Sequence, residues 1–127
     1  MFIQIEPTSD IPIYTQLANQ VIELIARGRL QGGDTLPSVR ALASDLSVNM
    51  HTVNKSYHEL EHKGIIRIVP KSGAVINPIV QDGITSKNRQ RIIEQIQPII
   101  AESLVLGMNP EEIQKLVSSI LTHLKEE

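Results

Sequence analysis

The chain has 127 residues, enough for one compact domain with a small appendage. Its 12 basic and 14 acidic side chains leave a formal net charge of −2, so it is neither a basic arm nor an acidic disordered tail. The apolar share is aliphatic, with 19 Ile, 12 Leu and 9 Val against one Phe, two Tyr and no Trp, which supports an ordinary core and disfavours binding single-stranded nucleic acid by stacking. The absence of cysteine excludes disulfide scaffolds, thiolate zinc sites and cysteine nucleophiles. No run approaches the ~20 apolar residues of a membrane span. The acidic Glu6 and Asp10 near the start do not read as an export signal, so a cytoplasmic protein is expected.

Residues 1–11 read as a strand fragment or a packed arm. Pro12 suits a helix start, and Tyr14, Leu17, Val21, Leu24 and Ile25 follow at helical spacing. Gly28 and the Gly32-Gly33-Asp34 turn close that element. Ser38 is a suitable N-cap for a second helix with the stripe Val39, Leu42, Ala43 and Leu46. After Ser47-Val48, Asn49 opens a third helix with Val53, Tyr57 and Leu60 on one face and Gly64 at its end. Residues 65–69 and 74–76 then predict a hairpin with a basic tip at Pro70-Lys71-Ser72-Gly73. Residues 77–85 read as a linker. Beyond it, Ile92, Ile93, Ile96, Ile99 and Ile100 mark a helix, with a kink or break expected at Pro98. Asn109-Pro110-Glu111-Glu112 starts a last helix carrying Ile113, Leu116, Val117, Ile120, Leu121 and Leu124.

Helix, helix, tight turn, helix and hairpin in this order form a winged helix-turn-helix plan. The fold class expected is therefore α+β, mostly α, followed by a short C-terminal helical segment for dimerisation. The third helix, about 49–62, can enter a DNA major groove with its first residues toward base edges. Its hydrophilic face offers Asn49, His51, Thr52, Asn54 and Lys55, and then His58 and His62. Asn suits adenine, Thr can bond or touch a thymine methyl, and Lys can reach phosphate or guanine. Arg40 can reach the backbone or the groove, and Lys71 can lie along phosphates or in the minor groove. Residues 1–78 carry seven basic and seven acidic groups, so there is no gross basic footprint. A protein-interaction module of the same fold fits that balance as well.

Residues 12–76 resemble the DNA-binding domain of the GntR family of bacterial transcription regulators. The resemblance is carried by Pro12-Ile13-Tyr14-x-Gln16-Leu17, by the run from Ile25 to Ala43 with Gly33-Asp34-x-Leu36-Pro37-Ser38-Val39-Arg40, by Val48-Asn49-x-x-Thr52-Val53, and by Tyr57-x-Glu59-Leu60-Glu61-x-x-Gly64. The short tail is similar to that of the YtrA-like subfamily, whose C-terminal helical pair mediates dimerisation and whose members are usually repressors. The resemblance implies DNA contacts at Ser38, Arg40, Asn49, His51, Thr52, Asn54 and the wing tip Lys71, Ser72 and Gly73. The chain departs from the family pattern at Met50, often Pro, at His51, often Asn, and in the wing, often Arg-Gly-x-Gly. The domains expected are 1–78 for DNA and 79–127 for pairing.

His58-Glu59-Leu60-Glu61-His62 also fits the H-E-x-x-H spacing of zinc proteases. A hydrolase would need a third ligand and a substrate cleft, and His123 is the only later histidine. No enzyme activity, metal or cofactor is expected. The tail helices present isoleucine and leucine stripes too wide for two helices to cover by themselves. A two-fold pairing through Ile92, Ile96, Ile99, Ile100, Ile113, Leu116, Val117, Ile120, Leu121 and Leu124 would cover them. The expected partners are a second copy and a pseudo-palindromic double-stranded operator. A small-molecule effector, sited between tail helices or at the dimer interface, is left open.

Overall fold

A computed structural model describes residues 3–79 and 82–126. They fall into two compact units, Met1–Ile79 and Val80–Glu127.

In the first unit the elements run α1 (Ile13–Ala26), β1 (Thr35–Leu36), α2 (Val39–Leu46), α3 (Met50–His62), β2 (Ile66–Val69) and β3 (Gly73–Ile76). The strands form an antiparallel sheet in the order β1-β3-β2, with Leu36 opposite Ala74 and Arg67 opposite Val75. The sequence predicts a two-stranded hairpin, and the third strand is a correction to that reading. Two residues are too few to show an alternating pattern, and β1 exists because β3 supplies its partners. Leu17, Ala18 and Val21 of α1 meet Leu42 and Ala43 of α2, Val53, Tyr57 and Leu60 of α3, and Leu36, Ile66, Ala74 and Ile76 of the sheet in one core. Leucine, isoleucine and valine dominate it, as the composition requires.

Residues 3–11 form an arm rather than a strand. Gln16, buried on α1, accepts from the Glu6 amide at 2.8 Å and donates to the Ile11 carbonyl at 2.7 Å. Gln20 accepts from the Gln4 amide at 2.9 Å.

Polar bonds fix α3 against its neighbours. The Ser56 hydroxyl donates to the Tyr14 carbonyl, and the Tyr57 hydroxyl donates to the Pro37 carbonyl. At the far end of α3, Glu61 accepts from the Ile68 amide of β2 at 2.9 Å. Gly64, at φ 80°, ends the helix in a left-handed turn.

The second unit contains α4 (Ser86–Val105) and α5 (Pro110–Lys125). Thr85 caps α4 through the Asn88 amide. Asn109 and Glu112 form a reciprocal capping box on α5, with Pro110 as its first residue. α4 runs through Pro98 as one helix, so of the kink or break expected there the break does not occur. No residue of α4 is buried, so the Glu94 carbonyl that Pro98 leaves without an amide can turn to water. Among the described residues no helix is long and apolar enough to cross a membrane.

Candidate nucleic-acid interface

The N-terminal ends of α2 and α3 and the β2–β3 turn surround one groove of about 560 Å³. Ser38, Val39 and Arg40 line it from α2, Met50, His51 and Asn54 from α3, and Ile68, Val69, Pro70, Lys71 and Gly73 from the wing. The sequence-predicted residues Ser38, Arg40, His51, Asn54, Lys71 and Gly73 therefore come from three separate elements to one place. Arg40, His51, Asn54 and Lys71 are exposed there. The two long cations, Arg40 and Lys71, stand on different walls, as a surface that follows a polyanion would have them.

Local capping positions these groups. Ser38 accepts from the Ala41 amide at 3.1 Å and starts α2. Ser47 adopts φ 56°, the left-handed turn that ends α2, and Asn49 then caps α3 by accepting from the His51 amide at 2.7 Å. The side-chain oxygens of Ser38 and Asn49 are thus engaged by their own helices, leaving the Asn49 amide nitrogen for other contacts. Thr52 is half-buried. Lys55 is exposed, with its ammonium 4.0 Å from the centre of the Tyr14 ring, so it leans toward α1 and away from the groove.

At the wing tip the Ser72 amide donates to the Val69 carbonyl at 3.0 Å. Lys71 sits at φ 68° and Ser72 is exposed. Gly73 is buried, and a Cβ there would overlap the Leu36 carbonyl and Pro37. Its place in the wing is a backbone requirement: only a residue without a side chain lets β3 cross so close to β1. Gly73 thus supports the wing through its backbone as well as lining the groove.

Met50 is absent from the sequence-predicted set, although it lines the same groove and is exposed. Its signal was a large apolar residue at the first position of an otherwise polar face, and it becomes readable once Asn49 is recognised as the cap. For His58, Glu59 and His62, no group of three or more potential ligands among the described residues could hold a metal ion. Glu59 instead pairs with Lys63 at 3.7 Å.

In the second unit Ile92, Ile96, Ile99, Leu116, Val117, Ile120 and Leu121 are exposed, and Ile100 and Leu124 are half-buried. Ile113, placed with them by the sequence, is 8 % exposed and already packed within the chain, which removes it from the free stripe.

The family model of the bacterial regulatory proteins of the gntR family matches residues 13–76. The chain is 35 % identical to the transcriptional repressor YtrA of Bacillus subtilis, over 97 % of its own length and 95 % of that protein. A crystal structure of a transcriptional antiterminator from Listeria monocytogenes matches all of the chain, and 95 % of its own, at a TM-score of 0.90 and 30 % identity. YtrA from Sulfolobus acidocaldarius, a GntR-family transcription factor, is 39 % identical over 98 % of the chain and 100 % of its own, at a TM-score of 0.59. Fold, motif positions and near-full-length similarity agree: this chain belongs to the gntR family of bacterial regulatory proteins, and it is a DNA-binding transcription regulator rather than an enzyme.

Proposed function

We propose that the protein is a homodimeric repressor of a pseudo-palindromic operator. α3 enters the major groove, and the wing tip at residues 70–73 follows the backbone or the adjacent minor groove. The observation that carries this reading is the common groove, where Arg40, His51, Asn54 and Lys71 converge from three elements. Base-reading side chains at the start of α3 and cations on both flanks are what direct readout combined with phosphate anchoring needs.

Pairing rests on the second unit. Ile96, Ile99, Ile120 and Leu121, all more than half exposed, give α4 and α5 an apolar surface that a second copy can cover through a two-fold interface. Two reading heads then span half-sites about 34 Å, or a multiple of that, apart. Occupying a promoter represses it, in keeping with the repressor similar to this chain. An effector, where one exists, would act by changing the angle or separation of the heads. The site of action is the cytoplasm, where bacterial DNA lies.

The test is a gel-shift titration against a duplex enriched from a random pool, beside a scrambled duplex of equal composition, with sedimentation of the free protein. Preference for the enriched duplex and a dimer at micromolar concentration are expected. Equal affinity for both duplexes, or a monomer at high concentration, would overturn the reading.

A further inference from the structure

We propose that Met50 reads the 5-methyl group of a thymine in each operator half-site, and so determines specificity beside the polar readers His51 and Asn54. The proposal rests on the placement of α3 in the major groove and deepens it.

Three large apolar side chains among described residues 3–79 stand exposed: Ile11, Met50 and Ile79. Of these, Met50 lies on α3, as its first residue after the Asn49 cap, and is 41 % exposed. The N-terminal residues of a recognition helix are those nearest to base edges. Its neighbours around the groove include hydrogen-bonding and cationic groups, Arg40, His51, Asn54 and Lys71, together with apolar Val39, Ile68 and Val69. A duplex docked on this face therefore brings a polar surface against a thioether at its entry. Among the atoms a major groove presents, the thymine methyl is the apolar one, and an apolar side chain is its natural contact. Methionine suits the task because its unbranched, polarisable side chain adapts to a small apolar target without demanding one rotamer.

The experiment is a thymine-to-uracil scan of a duplex enriched by the full-length protein from a random pool. Uracil keeps the base pair and deletes only the methyl. One thymine per half-site should weaken binding of the unaltered protein on replacement, by roughly fourfold, the worth of one buried methyl group. M50A should bind the original duplex with a similar loss and show no further loss from that same replacement. N54A should bind more weakly yet still distinguish thymine from uracil there. Unchanged melting of M50A establishes that the fold is intact.

Discrimination that persists in M50A at every thymine overturns the proposal, as does a scan in which no replacement matters. Loss of discrimination in N54A as well as M50A assigns the effect to helix placement and overturns it too. Failure of the unaltered protein to enrich any sequence would instead sink the groove placement of α3 itself.

Discussion

The hydroxyl of Tyr57 donates to the carbonyl of Pro37 at 2.7 Å. Tyr57 lies in the middle of α3, and Pro37 directly precedes Ser38, the cap of α2. One bond thus ties α3 to the start of the helix that carries Arg40. Replacing Tyr57 with Phe keeps the ring and removes the donor. Y57F should lower stability by about 1–2 kcal/mol, the cost of an unmade buried hydrogen bond. Urea unfolding monitored by circular dichroism checks this; a midpoint equal to that of the unaltered protein would show that the bond adds nothing.

The same burial raises the pKa of the Tyr57 hydroxyl, because charge is disfavoured in the core. The unfolded chain releases this proton near pH 10, whereas the folded chain holds it. Above that pH the unfolded state binds fewer protons, so stability falls as pH rises. Alkaline unfolding should steepen beyond about pH 10, and Y57F should show a shallower slope in the same window.

Gly73 and Gly64 both have positive φ, but a Cβ meets backbone only at Gly73. G64A should cost about 1–2 kcal/mol, the price of a left-handed alanine. G73A should cost clearly more and loosen the wing against β1. Thermal melting of the pair separates conformational strain from steric overlap; equal losses would mean that the close approach to Leu36 and Pro37 relaxes freely.

Asn49 caps α3 and, in the function proposed above, also faces the operator, two roles that substitution can divide. N49D retains an oxygen to accept from the His51 amide and should melt near the unaltered protein, while its negative charge weakens operator binding. N49A loses the cap and about 1 kcal/mol of stability along with binding. Melting and gel shift measured together test the division. Equal stability of the alanine and aspartate variants would contradict it.

A charge in the middle of the exposed tail stripe tests pairing. I120D should convert a dimer to a monomer in sedimentation and weaken operator binding at least tenfold. The first unit should still fold, since its core contains no residue of α5. A dimer that survives I120D would move the interface elsewhere.

Much of this molecule was legible because its signals are local. Capping residues, proline at helix starts and glycine at helix ends marked the helices α2, α3 and α5, and period-3.6 stripes marked the buried faces of α2 and α3. What stayed hidden depends on partners distant in sequence. β1 is two residues long and exists through Ala74 and Val75, some forty positions later. The arm of residues 3–11 is held by Gln16 and Gln20, whose amides look from sequence like any exposed helix polar group. Lys55 shared a polar face with Asn54 in the sequence, but the Tyr14 ring draws it to the other side. Met50 was hidden for a different reason, since periodicity assigns apolar residues to cores and has no place for one that faces out.

The Glu61 carboxylate, by taking the Ile68 amide, also closes one outward donor of the sheet to a strand from another molecule. β2 is an outer strand, and an unclaimed outward amide is where a foreign strand begins to zip on. With that position filled from α3, the β2 edge is a poorer template for strand addition.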